Sequence, residues 1–199
     1  MSVISNIKKA IPEMQRVLPP DIRVSFEFDQ SPYVTRAVES VVVEGALGAI
    51  LVGIAVLVFL RDWRSALVVV LNIPLAICFS ILALWLTGET INVMTLGCLA
   101  LAIGILVDEA TVEVENIHAW MVRTESVPLA VRLGNLQTAV PRFLAMVCIL
   151  AVFIPAFFMQ GAAQRLFAPL ALAVGFAMIG SYILSSTFVP VVSVWLLRH

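Results

Sequence analysis

Five apolar runs, at about 34–60, 66–86, 91–121, 136–159 and 166–197, constrain this sequence more than any other feature. A bilayer core of about 30 Å needs about 20 helical residues to cross it, and every run supplies that many. Hydrophobic residues make up 61% of the chain and charged residues 13%, whereas a soluble domain carries roughly 45–50% apolar and about 25% charged residues. The expected fold class is therefore an all-α polytopic membrane protein with five transmembrane helices set in a lipid bilayer. A net charge of −1 gives no support to nucleic-acid binding. Cys78, Cys98 and Cys148 sit inside apolar runs and read as packing residues. Their spacing suits neither a disulfide framework nor a metal site.

Residues 1–33 differ in kind. Val3, Ile4, Ile7, Ile11, Met14 and Leu18 recur at helical spacing among Lys8, Lys9, Glu13 and Arg16, which predicts an amphipathic helix weakened by Pro12. After the breaker Pro19-Pro20-Asp21, Ile22, Val24, Phe26 and Phe28 alternate with polar residues, the period of a strand with one buried face. One helix and one strand cannot fold alone. The segment reads as the α+β edge of a larger extramembrane domain, and the absence of an apolar signal core makes the chain look like an excised piece.

Short polar stretches separate the spans: Arg61-Asp62-Trp63-Arg64, Thr87-Gly88-Glu89-Thr90, a connector from Arg123 to Gly134 with room for a short surface helix, and Gln160 to Arg165. Arg61, Arg64, Arg123, Arg132, Arg142 and the terminal Arg198-His199 fall on one side, which the bias of Lys and Arg toward the cytoplasm marks as inner. Residues 1–33 are then outside. Asn72 reads as an interhelical hydrogen bonder, His118 as a headgroup-level residue, and Pro74, Pro155, Pro169 and Pro190 as kinks or end signals.

The third span carries the chemistry. Gly104-Ile-Leu-Val-Asp108-Glu109-Ala-Thr-Val-Glu113-Val-Glu115-Asn116 places two adjacent carboxylates within an apolar helix, at a cost of several kcal/mol that makes intramembrane acids functional candidates. At helical rise Asp108 lies about 22 Å from Arg123 and about 27 Å from Thr90, near mid-depth. Gly97, Leu101, Gly104, Asp108, Thr111 and Glu115 share a face, and its glycines invite close approach of a packed neighbour. Glu109 points about 100° away, with Glu113 four residues on. Low dielectric and a second carboxyl alongside both favour the neutral acid, so the pair should titrate as a coupled unit holding at least one proton near neutral pH. A cation that moved toward or away from the pair would exchange that proton and so couple it to helix movement. On these bounds the spans contain no central Lys or Arg for this role, so the cation comes from elsewhere or the coupling ion is sodium. Glu113 and Glu115 read as interfacial acids near the helix end, with Glu115 bracing the connector through Asn116 or His118. Glu44 is either interfacial or a secondary polar contact, and Thr111 is a further polar neighbour.

The motif from Gly104 to Asn116 closely resembles the fourth-helix motif of resistance–nodulation–division (RND) efflux pumps of the hydrophobe/amphiphile multidrug branch. Phe59-Leu-Arg-Asp-Trp-Arg64-Ser-Ala, Ile73-Pro74-Leu, Ile91-Asn92-Val-Met-Thr-Leu and Val152-Phe-Ile-Pro155-Ala-Phe-Phe fit the same family in order and spacing. The resemblance covers nearly the whole chain. It implies helices two to six of a twelve-helix protomer, with residues 1–33 closing a periplasmic porter subdomain. It further implies a bacterial inner-membrane, homotrimeric drug/proton antiporter, not an enzyme, working with a periplasmic adaptor and an outer-membrane channel. Protons are the coupling ion and no bound cofactor or metal is expected. Asp108 and Glu109 match the two aspartates of the family's proton relay, with Glu at the second position as a departure, and Glu113 stands where an apolar residue is usual. The family's partner cation lies on later helices of the protomer. The metal-export branch usually has a small apolar residue where Glu109 stands. Two other readings stay open: an RND relative moving protein, lipid or metal ions on sodium or protons, and an inactive structural fragment.

Overall fold

Hydrocarbon offers no partner to a backbone N–H or C=O, so each apolar run closes its hydrogen bonds within itself as a helix. The computed structural model describes residues 2–19, 22, 24, 29, 31–89 and 92–197. In order these form α1 (Ser2–Val17), α2 (Ser31–Leu60), α3 (Trp63–Leu86), α4 (Val93–Met121), α5 (Val127–Phe153), the one-turn α6 (Pro155–Phe158) and α7 (Ala162–Leu196). Among the described residues, five segments are long and apolar enough to cross a membrane, counting α5 and α6 as the single stretch Val127–Phe158. Short links make them alternate in direction, so Arg61, Arg64 and Arg123 gather at one end of the bundle, called the basic end below.

The links carry the signals that end helices. Asp62 caps α3, its carboxylate accepting from the amides of Arg64 at 3.1 Å and Ser65 at 3.3 Å and from the Ser65 hydroxyl at 2.7 Å. Gly88, at φ +77°, closes the other end of α3: its amide bonds Trp85 O and the Glu89 amide bonds Leu84 O, the two crossed bonds of a Schellman turn. Asn92 and Thr95 cap α4 reciprocally.

Residues 123–134, expected as a connector with room for a short surface helix, are helical from Val127, and that helix runs on without a break into the fourth span. Val127-Pro128 opens α5, where a proline's missing N–H is harmless. The polar residues Arg132, Asn135 and Gln137 conceal the helix from a hydropathy reading because part of its face is polar. The fourth apolar run is thus the later part of a 32-residue stretch. The strand expected at 22–28 lies outside the described residues except for Ile22 and Val24, as do Arg198 and His199. Amphipathic α1 is tied to the start of α2 by the Lys8–Asp29 ion pair. Asp29 also accepts from the Ser31 amide at 2.9 Å, and with Lys8 as the larger cause its carboxyl is held down to about 2.

At the centre, α4 packs on α2, α3, α5 and α7, and α7 packs on α3, α4, α5 and α6. Lipid is as apolar as leucine, so small residues and close approach hold such helices together. The α7 seam is accordingly Ala171, Ala173, Val174, Ala177, Gly180, Ser181 and Ser185, all buried. Ser80 of α3 donates to Ala173 O at 3.0 Å across it. A Cβ on Gly180 would stand 2.4 Å from the Phe79 ring, and one on Gly134 would meet the Ile117 backbone at 3.2 Å. These two glycines set the α3–α7 and α4–α5 distances.

Asp62 makes the basic end sensitive to acid. Partial burial pushes its carboxyl up, but the Ser65 hydroxyl and the Arg64 and Ser65 amides outweigh burial and hold it below the ordinary carboxylate value. Stability from such a group is present above the unfolded-state value and is lost as pH falls through the lowered folded-state one. Asp62→Ala is expected to cost about 1 kcal/mol and to flatten the acid limb of stability against pH, read by thermal unfolding of the detergent-solubilised protein.

Candidate functional site

The two neighbouring acids on α4 diverge. Asp108 is exposed and opens into a groove between α2 and α4, a pocket of about 530 Å³ lined by Val52, Val56, Phe59, Asp108, Thr111 and Glu115. Farther from the basic end the same side of α4 continues past Gly104, Leu101 and Gly97 to a second hollow that includes exposed Glu44. Beyond the nearby backbone of α4 itself and the adjoining residues, no described heavy atom lies within 4 Å of where a Cβ would stand on Gly97 or Gly104. Among the described residues, the packed neighbour expected on this glycine face is not found, and Asp108 faces an open groove instead. Along the groove Thr111 turns its hydroxyl back to Val107 O at 2.9 Å, and Glu115 is exposed.

Glu109 points the other way, into the bundle, and is 8% exposed. Neither of its carboxylate oxygens makes a hydrogen bond of good geometry. The Ser181 hydroxyl of α7 and the Arg142 guanidinium of α5 act on it electrostatically. Ser181 itself turns toward Leu106 O at 3.5 Å.

One turn farther on, Glu113 is fully buried and ion-paired, which corrects its expected place at the interface. Its Oε2 lies 2.9 Å from Arg142 Nη2 and accepts from the Thr138 hydroxyl at 2.5 Å. Arg142 also donates from Nη1 to Ser185 Oγ at 2.6 Å and from Nη2 to Asn135 Oδ1 at 2.9 Å, and it lies 6.0 Å over the Tyr182 ring. Asn135 is anchored in turn, donating to Ser186 O at 3.2 Å. The spans therefore do contain a central cation. With α5 starting at Val127, Arg142 sits about 22 Å along the helix, midway through the 32-residue stretch and not at its entry. It belongs to the bundle interior and drops out of the count of basic loop residues.

This network was missed because an arginine in an apolar run was weighed by its distance from the apparent end of the run. A signal was available: Asn135, Thr138 and Arg142 recur at helical spacing on α5, and Glu109 and Glu113 at i, i+4 on α4. Asn116 braces the α4–α5 contact, donating to Gly134 O at 2.8 Å. His118 faces the loop, its Nδ1 3.4 Å from the Ser65 hydroxyl and its Nε2 3.8 Å from Asp62 Oδ2. Asn72, expected to bond between helices, is fully buried with neither amide atom partnered.

The sequence profile of the AcrB/AcrD/AcrF family matches residues 1–199. The chain is 34% identical over 173 residues to the swarming motility protein SwrC of Bacillus subtilis, covering 85% of this chain and 16% of that one. It is 28% identical to the cation efflux system protein CusA of Escherichia coli K12, covering 98% of this chain and 20% of CusA. It is 30% identical to the multidrug resistance protein MdtC of Pectobacterium atrosepticum, covering all of this chain and 19% of MdtC. Among solved structures, a heavy metal efflux pump superimposes with a TM-score of 0.75 at 30% identity, covering 95% of this chain and 19% of that one. The chain spans about a fifth of the length of these relatives or less.

Breaking the buried pair from one side leaves a charge without its partner, which costs about 3–5 kcal/mol, whereas replacing both members with apolar residues is often neutral. Arg142→Met is therefore expected to destabilise the detergent-solubilised protein more than Glu113→Leu/Arg142→Met does. Thermal unfolding of the two variants beside the parent measures the difference, and equal losses would show that the charges are not coupled.

Proposed function

The chain belongs to the AcrB/AcrD/AcrF family of RND efflux transporters, and on that premise we propose that it forms part of the membrane domain of a proton-motive-force-driven pump for amphiphilic compounds. Such a pump transports and is not an enzyme. The observation that carries the proton reading is the divergence of the acid pair: Asp108 opens into the α2–α4 groove while Glu109 is buried without a hydrogen bond of good geometry. Adjacent carboxyls facing a groove and a closed interior can pass a proton between two environments. The long α4 can transmit the result, because it touches four of the other helices.

In this reading Asp108 takes a proton arriving along the groove and Glu109 holds it inside the bundle. Release follows when the surrounding helices shift. Proton uptake thereby biases the packing of α4 against its neighbours, which is the form that coupling to substrate movement takes. The basic end faces the cytoplasm, residues 1–33 face the periplasm and the membrane is the bacterial inner membrane. The working unit is a homotrimer of full protomers with a periplasmic adaptor and an outer-membrane channel. Amphiphilic cargo is favoured by the second acid at Glu109, the pattern that the sequence shares with the multidrug branch. Export of metal ions is the second reading, favoured by the likeness to CusA and to the heavy metal efflux pump.

In the full-length pump, Asp108→Asn and Glu109→Gln are each expected to abolish efflux while leaving membrane levels unchanged. Dye and drug efflux from a hypersensitive bacterial host, with and without a protonophore, provides the measurement, and normal export by either variant removes the relay assignment. Copper and zinc tolerance assayed in the same strains separates the two cargo classes.

A further inference from the structure

Two carboxylates and one guanidinium are buried together where α4, α5 and α7 meet. Glu109 is 8% exposed, Glu113 0% and Arg142 4%. We propose that Arg142 is an internal counter-cation for which Glu113 and Glu109 compete, so that the proton load of Glu109 is set by which carboxylate holds the guanidinium. Arg142 is on this view a positioning residue. The inference rests on the relay role of Glu109 proposed above.

The first support is the pattern of unsatisfied groups. Arg142 binds Glu113 Oε2, Asn135 and Ser185, yet its Nε has no partner, nor do Glu113 Oε1 and both oxygens of Glu109. Buried polar atoms nearly always find partners. Four buried atoms without a hydrogen bond of good geometry, on three neighbouring ionisable groups, fit an arrangement in which one guanidinium serves two carboxylates and stands at one of them. The second support is reach. Residues at i, i+4 have Cβ atoms about 5–6 Å apart, a gap the long arginine side chain can cross without moving a helix. The guanidinium already acts electrostatically on Glu109 from its place on Glu113.

The third support is charge balance. With both carboxylates ionised the cluster carries one uncompensated negative charge, and a single proton makes it neutral. The other packed elements offer no further compensation. Facing the cluster, α7 contributes the hydroxyls of Ser181 and Ser185 and the Tyr182 ring, and no charged residue between Arg165 and Arg198. From α5 come Asn135 and Thr138, with no charge from Phe143 to Gln164. α3 has buried Asn72 and no charge between Arg64 and Leu86, and α2 has none between Glu44 and Arg61. Asp108 neighbours Glu109 on α4 but faces the groove. Arg142 is thus the one cation at this depth among the described residues, and Thr138 holds Glu113 as its resting partner.

The test uses the full-length pump in membrane vesicles. Dicyclohexylcarbodiimide modifies protonated carboxyls in apolar surroundings, and peptide mass spectrometry reports labelling at Glu109 across a pH series. Glu113→Gln removes the competitor, so Arg142 turns to Glu109; the pH of half-labelling is expected to fall by about one unit, tenfold in proton affinity. The pH optimum of efflux is expected to move in the same direction. Arg142→Gln is expected to raise the half-labelling pH by a similar amount. If that variant does not fold, the near-isosteric Glu113→Gln decides the matter alone. An unchanged or raised half-labelling pH in Glu113→Gln overturns the inference. Should Glu109→Gln abolish efflux while Glu113→Gln leaves the half-labelling pH in place, this inference fails and the relay stands. Should Glu109→Gln export normally, the relay itself fails, and with it the competition as a coupling device.

Discussion

The ion pair between Glu113 and Arg142 sets the terms for the middle of the bundle. A lone charge at that depth is prohibitively costly, so neither residue can be buried without the other. Their partners are drawn from three helices: Thr138 and Asn135 on α5, and Ser185 on α7. α4, α5 and α7 must therefore meet at one register. The glycine contacts agree with it, since Gly134 brings the α5 backbone against Ile117 of α4 one turn beyond Glu113. Polar networks of this kind specify an arrangement more than they stabilise it, because lipid supplies no hydrophobic force between helices.

Around that fixed point α4 presents two unlike faces. One carries Glu109 and Glu113 into a packed polar interior. The other carries Asp108, Thr111 and Glu115 along a groove that α2 borders and no described helix closes. The difference follows from the 100° step between neighbouring residues, which sends adjacent acids into different surroundings. Asp108 and Glu109 are consecutive in sequence but not equivalent in physics. One is exposed, and the other is shut away with a cation near it that already has a partner. Membership of the AcrB/AcrD/AcrF family is the ground on which this divergence is proposed to serve transport.

Much of the architecture was legible in advance, for a simple reason. Apolar runs of twenty or more residues have one solution in hydrocarbon, and caps such as Asp62, Asn92 and Gly88 mark their ends by local chemistry. α5 was harder. Arg132, Asn135 and Gln137 follow its apolar first turn, and hydropathy cannot tell a polar helix face from a polar loop. Misplacing that start misplaced Arg142, which moved from the rim to the centre once Val127 proved to be the first residue of the helix. Glu113 was read as interfacial from its nearness to the end of α4, and only the docking of α5 shows it buried against Arg142.

The sequence by itself determined the five spans, their alternation and the pair of acids on the central one, because length, hydropathy and helical period are local properties of the chain. Tertiary structure alone decided that Glu113 pairs with a buried guanidinium, that Glu109 is buried beside them, and that Asp108 faces the groove instead. That outcome depends on the rotation and depth at which α5 and α7 dock on α4. Rotation and depth are set by side chains meeting across helices, such as Gly134 on Ile117 and Gly180 on Phe79, and no periodicity within one helix encodes them.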